Sequence, residues 1–303
     1  MGNIIEINNL YKSYGEVKAV SNLSFCVKEG ELFAFLGVNG AGKSTTINIM
    51  CSQLTKDKGE ILIDGLNLDG NVDQIKSKLG VVFQNSVLDM PLTVYDNLEN
   101  RAALYGIIGE EFEKRLEELV RLLDFKDLLN RKLKNLSGGQ KRRIDIARAL
   151  IHKPKILILD EPTTGLDPQT RKTLWDVISL LRKNEKMTVF LTTHYMEEAA
   201  DADYVVIIDN GQIIAKGTPL ELKNTYTGDF ITLYSATEDI VKEFGVEYEV
   251  MREGIRIFVP NTAKATELIT KYPEIFIDYE VTKGKMDDVF LAVTGKKLMG
   301  GEA

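Results

Sequence analysis

The stretch "GVNGAGKST", Gly37–Thr45, matches the pattern G-x-x-x-x-G-K-[ST]. A glycine-rich loop of this kind lets backbone N–H groups approach phosphate oxygens closely. Gly37, Gly40 and Gly42 supply that closeness, and Val38, Asn39, Ala41 and Thr45 complete the loop. Lys43 is placed to neutralise β- and γ-phosphate oxygens, and the Ser44 hydroxyl to ligate Mg²⁺. A second stretch, "KNLSGGQKRRIDIARAL" at Lys134–Leu150, again puts a serine and two glycines just before a helical pattern. That too is an anion-binding helix start. One chain therefore carries two phosphate sites.

Carboxylates follow at "KILILDEP". Four apolar residues ending in Asp160 read as a buried strand whose carboxyl end lies where open α/β sheets bind ligands. Asp160 would hold Mg²⁺, and Glu161 would orient and deprotonate an attacking water. His194 ends "VFLTTH" and Gln84 ends "LGVVFQ", so both point to the same edge. His194 could donate to the γ-phosphate, and Gln84 could contact Mg²⁺ or the water. Taken singly, His194 reads as a strand cap. The run Lys141–Arg143 reads as the solvated first turn of a helix rather than a nucleic-acid patch, and His152 as a surface residue.

These residues need a sheet to hold them. Almost wholly apolar runs at "ELFAFLG", "LGVVFQ", "KILILD", "MTVFLTTH" and "YVVIID" alternate with helical patterns such as "PQTRKTLWDVISLLRKN". That alternation predicts an α/β fold with a mainly parallel sheet. "IIEINNL" and "LSFCV" add strands near the start. Between Gln84 and Leu136 the apolar period becomes helical, which predicts an inserted helical subdomain, about residues 88–150. The polar "KNTYTGD" marks a boundary, giving a first domain over 1–224 and a small α+β domain over 225–303. In the latter, "FITLYS", two pieces around Val246–Pro260 and "IFIDYEV" read as strands. Its helices are "EDIVKEF", "TAKATELITKY" and "MDDVFLAVTG".

Composition narrows the classes. With 44% hydrophobic and 27% charged residues the 303-residue chain can fill a sizeable core. A net charge of −7 argues against general nucleic-acid binding and against adhesion to anionic lipid. No apolar run approaches the ~18 residues of a membrane span, and the first residues lack a signal-peptide pattern. The two cysteines, Cys26 and Cys51, show no metal spacing and read as buried, reduced thiols of a cytosolic protein.

Phosphate loop, "LSGGQ", "ILILDEP", "GLD" and "TTH", in this order, resemble the ATP-binding subunit of an ABC transporter over about residues 4–220. The resemblance implies that Leu136–Gln140 is the signature motif, with Ser137, Gly138, Gly139 and Gln140 reaching nucleotide. It likewise implies Gln84 as the Q-loop glutamine, Asp167 as the D-loop aspartate, and Tyr14 stacked on adenine. Val38 departs from the proline of many relatives, which should alter loop rigidity. In that family two copies, or a copy and a homologous subunit, face head to tail around two ATP. The second phosphate site then serves the neighbour's nucleotide. Lacking a span of its own, the chain would need an integral membrane permease, gripped by the region from "VVFQNSVLDMPLTVYDNLENRAALYG" into the helical subdomain. It would sit in the cytoplasm, on the inner face of the membrane.

"PTTGLDP" and the tail "MDDVFLAVTG" are similar to ABC-2-type exporter ATPases, with an importer ATPase as the nearest alternative. DNA-repair ABC ATPases insert long coiled coils between Q-loop and signature, where this chain has only residues 85–135. Translation factors of the superfamily carry two ATPase cores, and P-loop kinases and small GTPases lack "LSGGQ". The final small domain would regulate or help dimerise the ATPase, or serve as a purely structural appendage.

Overall fold

The computed structural model describes residues 2–234 and 236–295; Met1 and 296–303, the ends of the two expected domains, lie outside them. In chain order the first elements are β1 (Asn3–Tyr14), β2 (Val17–Lys28), β3 (Leu32–Leu36), α1 (Lys43–Met50), β4 (Lys58–Ile63) and β5 (Leu66–Asn67). Then come α2 (Val72–Lys76), β6 (Leu79–Val82), α3 (Val94–Ala103), α4 (Glu110–Leu123), α5 (Gly138–Leu150), β7 (Ile156–Asp160), α6 (Pro168–Glu185) and β8 (Thr188–Thr193). The rest are α7 (Met196–Ala200), β9 (Tyr204–Asp209), β10 (Gln212–Gly217), α8 (Pro219–Tyr226), β11 (Asp229–Leu233), α9 (Glu238–Lys242), β12 (Tyr248–Met251), β13 (Gly254–Val259), α10 (Thr262–Lys271), β14 (Tyr279–Lys283) and α11 (Met286–Thr294). Two compact units result: Met1–Tyr195 with Ala202–Ile213, and Met196–Asp201 with Ile214–Ala303.

In the first unit β3, β6, β7, β8 and β9 run parallel in the order β9-β3-β8-β7-β6. β3, β7 and β8 are buried at every residue, as strands covered on both faces are. A second, antiparallel sheet β2-β1-β4-β5 packs beside it. An aromatic cluster joins the two. Phe25 of β2 lies 5.2 Å from Phe33 of β3, and Phe33 lies 5.2 Å from Phe190 of β8, centroid to centroid. Fully burying one such side chain contributes about 1.5–3 kcal/mol. The fold is thus the P-loop α/β core read from the sequence, with antiparallel N-terminal strands and inserted helices α3–α5.

Expectations for Cys26 and Gln84 need correction. Cys26 is exposed; only Cys51 is buried. Residues alternate across the faces of a strand, and Cys26 falls between the inward Phe25 and Val27. Burial pushes the Cys51 thiol up to about 12, so that sulfur is inert. Gln84 does not end a strand either, since β6 stops at Val82.

The second unit holds an antiparallel sheet in the order β12-β13-β11-β14. Ile231, Leu233, Ile255, Ile257 and Val259 share one face and form a core with Val241, Ala265 and Leu268 from α9 and α10. The strand expected from Ile275 begins only at Tyr279. Ile275 and Phe276 instead close a turn on the carbonyl of Tyr272, at 3.0 and 3.3 Å. Phe276 is buried there and stacks on Phe244, 5.8 Å away.

Candidate nucleotide site

Parallel pairing decides which residues meet. β3, β6, β7 and β8 end on one edge, so the loop after β3, Gln84 beyond β6, Asp160–Glu161 at the end of β7 and His194 after β8 converge there. At two of its glycines the loop has no room for a side chain. A Cβ on Gly37 would stand 2.6 Å from the carbonyl oxygen of Ile208. At Gly42, where φ is 109°, it would stand 2.4 Å from that of Ala19. Gly42 also caps α1, and no side chain bonds the helix N-terminus. The first-turn N–H groups of α1 are therefore free of a side-chain cap, the arrangement that favours an anion. Ala41 is buried, Thr45 half-buried and Val38 packed against the core, whereas Asn39, Gly40 and Ser44 are exposed.

Lys43 is buried, and its Nζ donates to the carbonyls of Gly37 at 2.7 Å and Val38 at 3.3 Å. It also stands 3.5 Å from Glu161 Oε1. Burial lowers its pKa, and the neighbouring carboxylate opposes that shift. The other oxygen of Glu161, Oε2, accepts from Gln84 Nε2 at 3.1 Å. His194 Nδ1 approaches the same oxygen to 3.3 Å, yet no aligned hydrogen bond connects them. Glu161 has φ 45°, an uncommon value for a residue with a Cβ. Its N–H is tied to Thr192, both to the carbonyl at 3.1 Å and to Oγ1 at 3.2 Å. Cross-strand bonds thus hold a strained backbone that aims the carboxylate inward.

Asp160 is buried and accepts from the Thr192 hydroxyl at 2.6 Å. Burial raises its pKa; the hydroxyl opposes that, and the like charge of Glu161 adds to it. Tyr14 stands 51% exposed at the end of β1, with Lys12 Nζ 5.9 Å from its ring centroid. It is an uncovered aromatic face beside a cation.

The second phosphate-friendly stretch is built differently. Ser137 caps α5 by accepting from Gln140 N at 3.3 Å, while Gln140 Oε1 accepts from Ser137 N at 3.0 Å. Ser137 and Gly138 are exposed. A Cβ on Gly138 would meet nothing within 4 Å, but one on Gly139 would stand 2.6 Å from the Thr170 side chain. Thr170 is in the first turn of α6, bonded to the N-cap Asp167, whose carboxylate accepts from its hydroxyl at 2.6 Å.

Sequence reasoning missed Arg142. It is buried, not a solvated first-turn residue, and donates to the carbonyls of Phe83 at 2.6 Å and Pro162 at 2.7 Å. Its Nη2 reaches those of Asp160 and Glu161 at 3.4 and 3.3 Å. Signature helix, β7 end and the approach to Gln84 are thereby fastened through one guanidinium. A signal was present: Arg142, Asp145, Ile146 and Ala149 fall at i, i+3, i+4 and i+7, the stripe a helix buries. His152 is likewise no surface residue. Its ring stacks on Tyr105 at 3.9 Å, its Nε2 meets the carbonyl of Leu79 at 3.1 Å, and burial lowers its pKa to about 4.

A nucleotide-binding P-loop edge accompanied by an LSGGQ-headed helix is the arrangement of the ATP-binding cassettes. The ABC transporter family profile matches residues 20–164. The chain is 32% identical to the Nod factor export ATP-binding protein I of Cupriavidus pinatubonensis, over 97% of this chain and 92% of that protein. It is 39% identical to the linearmycin resistance ATP-binding protein LnrL of Bacillus subtilis, over 75% and 73%. Among solved structures, the dimeric cassette MJ0796 in a post-hydrolysis state with ADP and Pi is 30% identical. Its TM-score is 0.66, covering 71% of this chain and 98% of that one. CbiO1 from Clostridium perfringens, part of the transporter complex cbiONQ, is 29% identical with TM-score 0.68, over 73% and 91%.

The chain belongs to the ATP-binding subunits of ABC transporters. It is an ATP-hydrolysing motor subunit of the export type, and nothing among these relatives favours the importer alternative.

Proposed function

We propose that two copies of this chain, or this chain and a homologous subunit, close head to tail around two ATP and drive a membrane permease for export. The observation that carries the reading is the convergence on Glu161 of Lys43, Gln84 and His194, each from a segment that follows a strand of the parallel sheet. The exposed Ser137 and Gly138 complete it, as donors built to reach outward.

The phosphates lie along Gly37–Thr45, where uncapped N–H groups of α1 and Lys43 meet them, and the adenine stacks on Tyr14. Lys43 exchanges its loop carbonyls for β- and γ-phosphate oxygens. Glu161 accepts a proton from the attacking water, Gln84 orients that water, and His194 donates to the γ-phosphate. From the second chain, Ser137, Gly138, Gly139 and Gln140 add donors on the far side of the γ-phosphate, and Asp167 lies beside them. The Ser44 hydroxyl, the Asp160 carboxylate and the Gln84 amide are hard oxygen donors that suit Mg²⁺. When bound, Mg²⁺ supplies charge neutralisation at the β- and γ-phosphates.

Residues 1–224 form the motor and 225–303 an accessory domain. No helix among the described residues is long and apolar enough to cross a membrane. A separate permease is therefore the route to the membrane, and it holds the motor at the cytoplasmic face. The exposed Val87, Leu104 and Ile108, in and beside the region expected to grip it, offer apolar surface for its cytoplasmic segments.

Replacing Glu161 by Gln tests the chemistry. The variant should bind ATP normally and hydrolyse it about 10²–10⁴-fold more slowly. Turnover like that of the parent chain would remove Glu161 from its role.

A further inference from the structure

His194 takes its orientation from more than its own strand. Its Nδ1 is buried without an aligned hydrogen bond, so what packs against the ring decides where the imidazole points. The ring of Tyr195 lies against it, with centroids 4.2 Å apart and planes at 37°. The Arg171 guanidinium in turn stands 4.9 Å from the centroid of Tyr195, within cation–π range. Arg171 Nε is buried with no hydrogen-bond partner among the described residues.

Arg171 belongs to the first turn of α6, and its N–H bonds the carbonyl of Asp167 at 3.0 Å. The same turn carries Thr170, pressed against Gly139 of the signature. One helical turn therefore touches the D-loop aspartate and the signature, and through Arg171 and Tyr195 it reaches the histidine.

We propose that Arg171 and Tyr195 are positioning residues that couple the seating of a second chain at the start of α6 to the orientation of His194. The proposal rests on the reading of His194 as a γ-phosphate contact. A shift of Asp167 when the partner docks moves Arg171, and Arg171 moves the aromatic ring that sets the imidazole. Hydrolysis is thereby tied to the closed dimer. ATP binding itself needs neither residue, since neither belongs to the phosphate loop.

The test uses the full chain and reads kcat, the KM for ATP, the shape of the rate-versus-ATP curve and the melting temperature. Tyr195→Leu should lower kcat roughly tenfold or more, because a small displacement of a positioned group is costly. The KM should stay unchanged, and Tyr195→Phe, which keeps the ring, should recover most of the loss. Arg171→Gln should lower kcat in the same direction and flatten any sigmoidal dependence on ATP. If Tyr195→Phe is as impaired as Tyr195→Leu, or if KM and melting temperature move together with kcat, the ring is only structural and the coupling is wrong. His194→Ala separates the two levels. Loss of turnover there with normal Tyr195→Leu and Arg171→Gln rates overturns the coupling alone. Parent-like turnover in His194→Ala overturns the reading beneath it as well.

Discussion

The P-loop edge and the head of the signature helix use the same chemistry, glycines and a helix N-terminus, in opposite settings. At the edge, Lys43 and Asp160 are buried, Glu161 is held by bonds from a neighbouring strand, and an added Cβ on Gly37 or Gly42 would strike backbone. At the signature, Ser137 and Gly138 stand in the open, and an added Cβ on Gly138 meets nothing. The first region packs its own groups inward; the second presents donors outward. Arg142 joins them, so a disturbance at one is felt at the other through a buried cation bonded to backbone.

The contrast can be broken at its open side first. Gly138→Val should leave the melting temperature and ATP binding of the single chain in place. It should nevertheless lower turnover about 10²-fold or more, because the added side chain holds the backbone donor away from the partner's γ-phosphate, as costly as losing a preorganised donor. Steady-state ATPase assays beside a thermal melt check this. A drop in melting temperature would show that Gly138 is packed after all.

The joint comes next. Arg142→Met removes the donor from the buried carbonyl of Pro162 and the part-buried carbonyl of Phe83. A buried group left unsatisfied costs about 1–3 kcal/mol and a part-buried one less, so denaturant unfolding should show a loss of about 2–4 kcal/mol. Turnover should fall with it, even though Arg142 touches no substrate. A neutral outcome would mean the two regions are independent.

The smallest effect sits away from both. His152 has a pKa lowered from its ordinary value to about 4, so it folds neutral. Between about pH 6.5 and 4 the unfolded chain binds the extra proton, and stability must fall as pH falls through that window. The loss should reach on the order of 2 kcal/mol. His152→Phe, which can keep the stack on Tyr105, should flatten the slope in urea titrations at several pH values.

Much of this contrast was legible beforehand, because it depends on local pattern. Apolar runs ending in Asp160 and His194, and a glycine loop after "ELFAFLG", place chemistry at one sheet edge once the strands are parallel. What escaped depends on partners distant in sequence. Arg142 looked solvated because "KRR" is charged, and only the carbonyls it reaches, up to 59 residues away, make it internal. His152 looked superficial because its stacking partner Tyr105 arrives from beyond α3. The start of β14 was misplaced because Ile275 and Phe276 are as apolar as strand residues, although they fill a turn against Tyr272 and Phe244.

If the exposed signature completes a site on a second chain, the mass of the protein must follow its nucleotide. Light scattering on Glu161→Gln, with ATP, with ADP and with Gly138→Val added, tests it most directly. Twice the mass of one chain is expected with ATP, single-chain mass with ADP, and single-chain mass with ATP once Gly138→Val is present. A Glu161→Gln chain that binds ATP and stays single, or a dimer indifferent to Gly138→Val, would contradict it.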